Sequence, residues 1–190
     1  ILYKTSSDKP EGEPFECSTM PADAQFVMGW APGSGNTVMP DDIGYELPAE
    51  GEQLLLQVHY WNVAGHSGIE DRSGVAVCTA DSPREQEAGI LWSGTLDIEI
   101  PPRSRDVKAT GRCPSLVTSY LPEPIHVLAN APHMHELGTH FETVVERTDG
   151  TTEQLVEVER WDFDNQTGYP NDPPVPIHPG DEIVTTCTYD

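Results

Sequence analysis

Short runs in which apolar and polar residues alternate, cut by frequent breakers, dominate the chain, and this period of two predicts strands rather than helices. In residues 54–61 (LLLQVHYW), Leu54, Leu56 and Val58 share one face, while Leu55, Gln57, His59 and Trp61 share the other. Residues 73–79 read as the next strand, after a loop that carries Gly65 and Gly68. Leu96, Ile98 and Ile100 alternate with Asp97 and Glu99 until Pro101-Pro102 stops the run. Further on, strands are expected at 125–131, 141–148, 152–161 and 182–189, the last presenting Ile183, Thr185, Cys187 and Tyr189 on one face. Asp149-Gly150 predicts a type I′ hairpin turn, and residues 178–181 (HPGD) a turn before the final strand. With 18 prolines and 16 glycines in 190 residues, no helical period persists, so the predicted class is all-β, of the sandwich or jelly-roll kind. The least strand-like stretch, residues 80–88 (ADSPREQEA), predicts a domain boundary and hence pieces 1–86 and 87–190.

Charge narrows the partners. Ten basic against 32 acidic residues give a net charge of -22, which repels nucleic-acid phosphates and anionic lipid alike. No apolar run is long enough for a membrane span. The chain begins at Ile1 within ordinary sequence, without a basic or apolar leader, so a fragment or processed product is expected. Four single cysteines, Cys17, Cys78, Cys113 and Cys187, exclude a CxxC zinc or redox motif. An even count in such a protein fits disulfides and a secreted, extracellular or periplasmic setting; free thiols are the other reading. Asn165-Gln166-Thr167 is a glycosylation sequon.

The candidate chemistry lies in His133-Met134-His135. In extended backbone, residues i and i+2 project the same way, about 7 Å apart along the chain, so two imidazoles can meet one metal ion while Met134 points away. Two imidazoles and one further group suit zinc, copper or non-heme iron, and the third ligand decides which. His59 shares a face with Gln57. His126 lies seven residues before His133 and reads either as a group supporting the pair or as a core histidine. His140 reads as a surface residue or a local substitute ligand, and His66 and His178 as solvated turn residues.

A resemblance goes further than the spacing. His133-Met134-His135-Glu136-Leu137-Gly138, followed about 40 residues later by residues 179–189 (PGDEIVTTCTY), is similar to the catalytic domain of the copper type II, ascorbate-dependent monooxygenases. Upstream, residues 56–60 (LQVHY), then 71–75 (DRSGV), resemble that family's first domain in the same order, as do residues 29–33 (GWAPG) and 40–44. The resemblance implies two consecutive antiparallel β-sandwich domains, incomplete at their outer ends, each holding one copper. It implies His59 as one of three histidines on an electron-donor copper, and His133 and His135 as two ligands of an oxygen-activating copper. That copper's methionine ligand matches none of Met20, Met28, Met39 and Met134, so three of six expected ligands are present. Hydroxylation of a substrate C–H bond with O2 and ascorbate is implied for the parent protein, with little or none expected of these 190 residues alone. Gln57 and His126 are candidate supporting groups, with a plain buried polar residue and a core histidine as the respective other readings. Where peptide-hydroxylating members carry an arginine, this chain has Ala131, so a neutral or cationic small molecule is the expected substrate. The resemblance also implies that Cys17, Cys113 and Cys187 pair with cysteines outside this chain, and it gives Cys78 no partner.

Two other readings stay open. A cupin-type enzyme with a single iron or manganese would take Glu142 or His178 as a further ligand. A noncatalytic secreted sandwich would bind metal incidentally or not at all.

Overall fold

The computed structural model describes residues 1–6, 9–17, 23–48, 50–60 and 62–190. Its described elements are strands joined by loops, with a single helical turn, α1, at Ser115–Thr118. The chain is all-β, as the alternation predicts. It divides into two compact units, one of Ile1–Trp30 with Asn36–Ile90 and one of Ala31–Gly35 with Leu91–Asp190.

In the first unit, β1 (Leu2–Thr5) lies between β2 (Gln25–Met28) and β4 (Gln53–Leu56), antiparallel to both. The central position explains the burial of Leu2, Tyr3 and Thr5. Phe26 meets the Tyr3 ring edge-on at 5.8 Å. Two short strands, β3 (Ile43–Gly44) and β5 (Gln86–Glu87), pair in parallel.

The second unit carries a four-stranded antiparallel sheet in the order β6-β11-β8-β9, built from Val107–Cys113, Glu182–Tyr189, Gly138–Glu146 and Thr152–Val158. β7 (Ile125–Asn130) and β10 (Tyr169–Ile177) form a second antiparallel pair. Val145, Leu155 and Ile183 of the large sheet share a core with Ile177, Val175 and Val127 of the pair. This is the sheet-on-sheet contact expected of a β-sandwich. Val145 and Ile177 are fully buried, and each contributes about 1.5–3 kcal/mol by leaving water. β11 is paired along both edges, and residues on both its faces are buried: Ile183, Thr185, Cys187 and Tyr189 on the predicted face, Val184 and Thr188 on the other. The buried Thr185 hydroxyl is shared with Ser93 (2.7 Å) and Thr143 (2.9 Å).

Several expectations are corrected. The strand predicted at 54–61 stops at Leu56; Trp61 lies outside the described residues. Of its two faces, the one with Leu55 and Gln57 is the more covered, with Gln57 buried and Leu54, Leu56 and Val58 exposed. Residues 73–79 and 96–100 form no strand, because alternation makes a strand only where a neighbouring ladder accepts its hydrogen bonds; Leu96 is fully exposed. The proline-laden β10 was not predicted. It tolerates its missing N–H groups because it pairs on one side only and breaks register between Pro170 and Val175. β6 was likewise not predicted, since Lys108, Gly111 and Arg112 obscure its alternation. At Asp149-Gly150 only Gly150 has a positive φ, +85°, and its N–H donates to the Arg147 carbonyl at 3.0 Å. The connection is thus a type I turn closed by a left-handed glycine, not type I′.

The turn before β11 is held by Asp181, 2% exposed, whose carboxylate accepts from Arg147 at 2.6 Å and from the His178 N–H at 2.8 Å. Arg147 also donates to the Pro176 carbonyl at 2.7 Å and pairs with Glu153. Burial raises the Asp181 carboxyl pKa, but the His178 amide and the Arg147 charge outweigh it and hold it below the usual value. Its ionised form therefore stabilises the fold at pH above about 4, and that contribution is lost as pH falls through the lowered native value. Asp181→Asn is expected to cost about 3 kcal/mol in denaturant unfolding at pH 7, with the difference from wild type shrinking in acid.

Candidate metal centre

β7 ends at Asn130, and the histidine pair follows in extended backbone beyond the strand rather than within it. Pro132, which has no N–H to donate, is buried at this point. The alternation of the side chains continues past the ladder. Met134 is 2% exposed and packs among Phe141, Val156, Cys187 and Tyr189, while His133 and His135 are both exposed. Their ring centroids lie 5.3 Å apart, with the planes at 77°. The exit from the motif is equally constrained. The Gly138 N–H donates to the His135 carbonyl at 3.0 Å, and a Cβ on Gly138 would lie 2.8 Å from Met134 Cε and 3.0 Å from both Met134 Cβ and Trp161 Cδ1. Glycine is needed here for close packing.

A second loop supports the rings. Gln166, 5% exposed, places its Oε1 2.7 Å from His133 Nδ1, and its Nε2 donates to the Phe163 carbonyl at 2.8 Å. The Phe163 ring sits edge-on to His135 at 6.2 Å. Sequence reasoning missed Gln166 and Phe163. The only signal was the sequon triplet, which points to Asn165.

The remaining candidates lie elsewhere. His59 is exposed in the first unit, just past β4. Its neighbour Gln57 is buried, and its Oε1 accepts from the Tyr3 hydroxyl at 3.0 Å. His126 is exposed on β7 opposite Pro176, which removes the core reading; Gln166 is the residue bonded to His133. His140 sits half-exposed against Glu157 at 3.2 Å. All four cysteines are free thiols, Cys187 buried and Cys17 and Cys78 exposed. Burial pushes the Cys187 thiol pKa up.

Among the described residues no group of three or more His, Cys, Asp or Glu converges, so neither Glu142 nor His178 completes a cupin-like set with the pair. Two outward imidazoles on one extended segment fit two corners of a metal site, with nitrogen donors that suit copper. The chain is thus an all-β protein that presents two exposed imidazoles from one extended segment.

Comparison with known proteins places it more closely. Residues 86–190 match the C-terminal domain of the copper type II ascorbate-dependent monooxygenases. Tyramine beta-hydroxylase of Caenorhabditis briggsae is 32% identical over 180 residues, covering 88% of this chain and 30% of that protein. Dopamine beta-hydroxylase of Homo sapiens is 30% identical, covering 86% and 28%. Peptidyl-glycine alpha-amidating monooxygenase A of Xenopus laevis is 29% identical, covering 100% and 20%. The chain belongs to the copper type II ascorbate-dependent monooxygenase family, and it spans less than a third of the length of these relatives. Membership displaces the cupin reading. Among the described residues no helix is long and apolar enough to cross a membrane.

If Met134 is a packing residue and not a ligand, Met134→Leu should lose less than about 1.5 kcal/mol and leave copper affinity unchanged, whereas Met134→Ala should lose about 2–4 kcal/mol. Gly138→Ala should cost about 1–2 kcal/mol through overpacking against Met134 and Trp161. Denaturant midpoints and copper titrations of the three variants check both statements.

Proposed function

We propose that the parent protein is a monooxygenase that inserts one oxygen atom into a substrate C–H bond, with His133 and His135 among the ligands of its oxygen-activating copper and His59 a ligand of an electron-donor copper. The observation that carries this reading is the paired, exposed imidazoles of His133 and His135, 5.3 Å apart above a buried Met134, in a chain of this family. Copper at these two places, with ascorbate as reductant, would supply the activation of O2.

The chain's own residues prepare the sites. Met134 anchors the segment so that neither imidazole turns into the core. Gln57, fixed by Tyr3, is proposed to stiffen the backbone that presents His59, in a supporting role. His126, exposed on β7, is proposed only as a more distant supporting group. In this reading residues 1–86 and 87–190 are consecutive domains with one copper each.

For the substrate we infer a small neutral or cationic molecule. Ala131 offers no guanidinium to clamp a carboxylate, and a net charge of -22 attracts cations. Two relatives carry the names of amines, tyramine and dopamine, whose ammonium groups suit such a field. A secreted, extracellular or periplasmic location is proposed from membership of this family; it requires that Cys17, Cys113 and Cys187, which form no disulfide with one another, pair with cysteines outside this chain.

Copper titration tests the assignment. In the parent protein, His133→Ala or His135→Ala should each abolish one tight copper equivalent and substrate hydroxylation, while His59→Ala should remove a different equivalent. Retention of full copper content by the double variant of His133 and His135 would exclude them as ligands.

A further inference from the structure

We propose that Gln166 is the positioning residue of the histidine pair, fixing His133 as the tautomer protonated on Nδ1, and that Ala31–Gly35 is the brace that fixes Gln166 in turn. The proposal deepens the reading of His133 and His135 as copper ligands and rests on it for the identity of the metal.

The tautomer follows from the hydrogen-bond inventory. The Phe163 carbonyl can only accept, so the Gln166 nitrogen must face it, at 2.8 Å, and the amide cannot be turned over. Gln166 Oε1 then faces His133 Nδ1 at 2.7 Å, and an amide oxygen has no proton to give. His133 Nδ1 therefore donates, and the neutral ring keeps its lone pair on Nε2. A neutral imidazole free in water prefers the opposite tautomer, with the proton on Nε2, so Gln166 works against the intrinsic preference to present a ready ligand atom. The same turn reaches the second ring through Phe163, 6.2 Å from His135.

Gln166 is itself held from a distant part of the sequence. Its N–H donates to the Pro32 carbonyl at 2.7 Å, and the Ser34 hydroxyl donates to its carbonyl at 2.6 Å. Between them Gly33 adopts φ +89°, and a Cβ there would fall 2.6 Å from Asn165 Oδ1 and 2.7 Å from Asn165 Cα. Only glycine brings the segment this close. These contacts explain why Ala31–Gly35 groups with the second unit although the residues on either side of it in the chain belong to the first.

The test reads the ring nitrogens directly. Long-range 1H–15N correlation spectra of the metal-free parent protein should show His133 protonated on Nδ1 in the wild type and mainly on Nε2 in Gln166→Leu. Gln166→Glu, which keeps an acceptor oxygen, should restore the Nδ1–H form. Cu(I) affinity, by competition with a chromophoric chelator, should fall about 10- to 100-fold in Gln166→Leu. Ser34→Ala deletes one hydroxyl bond and should weaken Cu(I) binding several-fold with a partial tautomer shift, which keeps the proposal testable if Gln166→Leu does not fold. An Nε2–H wild type, or variants with unchanged tautomer and affinity, would overturn it. A wild type that shows the Nδ1–H form yet binds no Cu(I) would uphold the tautomer and sink the copper reading instead.

Discussion

The site depends on one steric fact: Met134 is buried, and its two neighbours therefore cannot be. Extended backbone sends alternate side chains to opposite sides. Once the thioether is locked among Phe141, Cys187 and Tyr189, His133 and His135 are forced outward together. Gly138 and Trp161 close over the same thioether from the C-terminal side. The imidazole pair is thus a consequence of core packing, and the large sheet acts as the platform on which the candidate metal centre stands.

That platform is central-strand architecture. β11 supplies Cys187 and Tyr189 beneath the motif and Ile183 to the second cluster, so one strand ties the histidine end of the unit to the Asp181–Arg147 end. The turn before β11 holds a buried ion pair, while the histidine end leaves the His133 and His135 rings exposed. Rigidity and accessibility are placed at different ends of one strand.

Much of this was legible in the sequence because the relevant signals are local. The alternation of Ile183, Thr185, Cys187 and Tyr189, the β8–β9 hairpin, and the opposed directions of Met134 and its neighbours all follow from the period of two. What stayed hidden needed a partner that local pattern does not reveal. Residues 96–100 alternate well but meet no ladder, whereas β10 breaks every strand rule and still pairs along one edge. Gln166 lies 33 residues from the histidine it supports, and the brace that holds it comes from residues 31–35, so neither leaves a spacing to read. The resemblance to the family points to copper as the proposed metal, where two imidazoles alone leave zinc, copper and iron open.

The most direct test of the central claim is a crystal structure of the copper-loaded protein with anomalous scattering collected at the copper edge. The account predicts a copper peak within bonding distance of both His133 Nε2 and the His135 ring, with Gln166 still on His133 Nδ1. A copper-loaded crystal whose peaks all lie away from these two rings would contradict it.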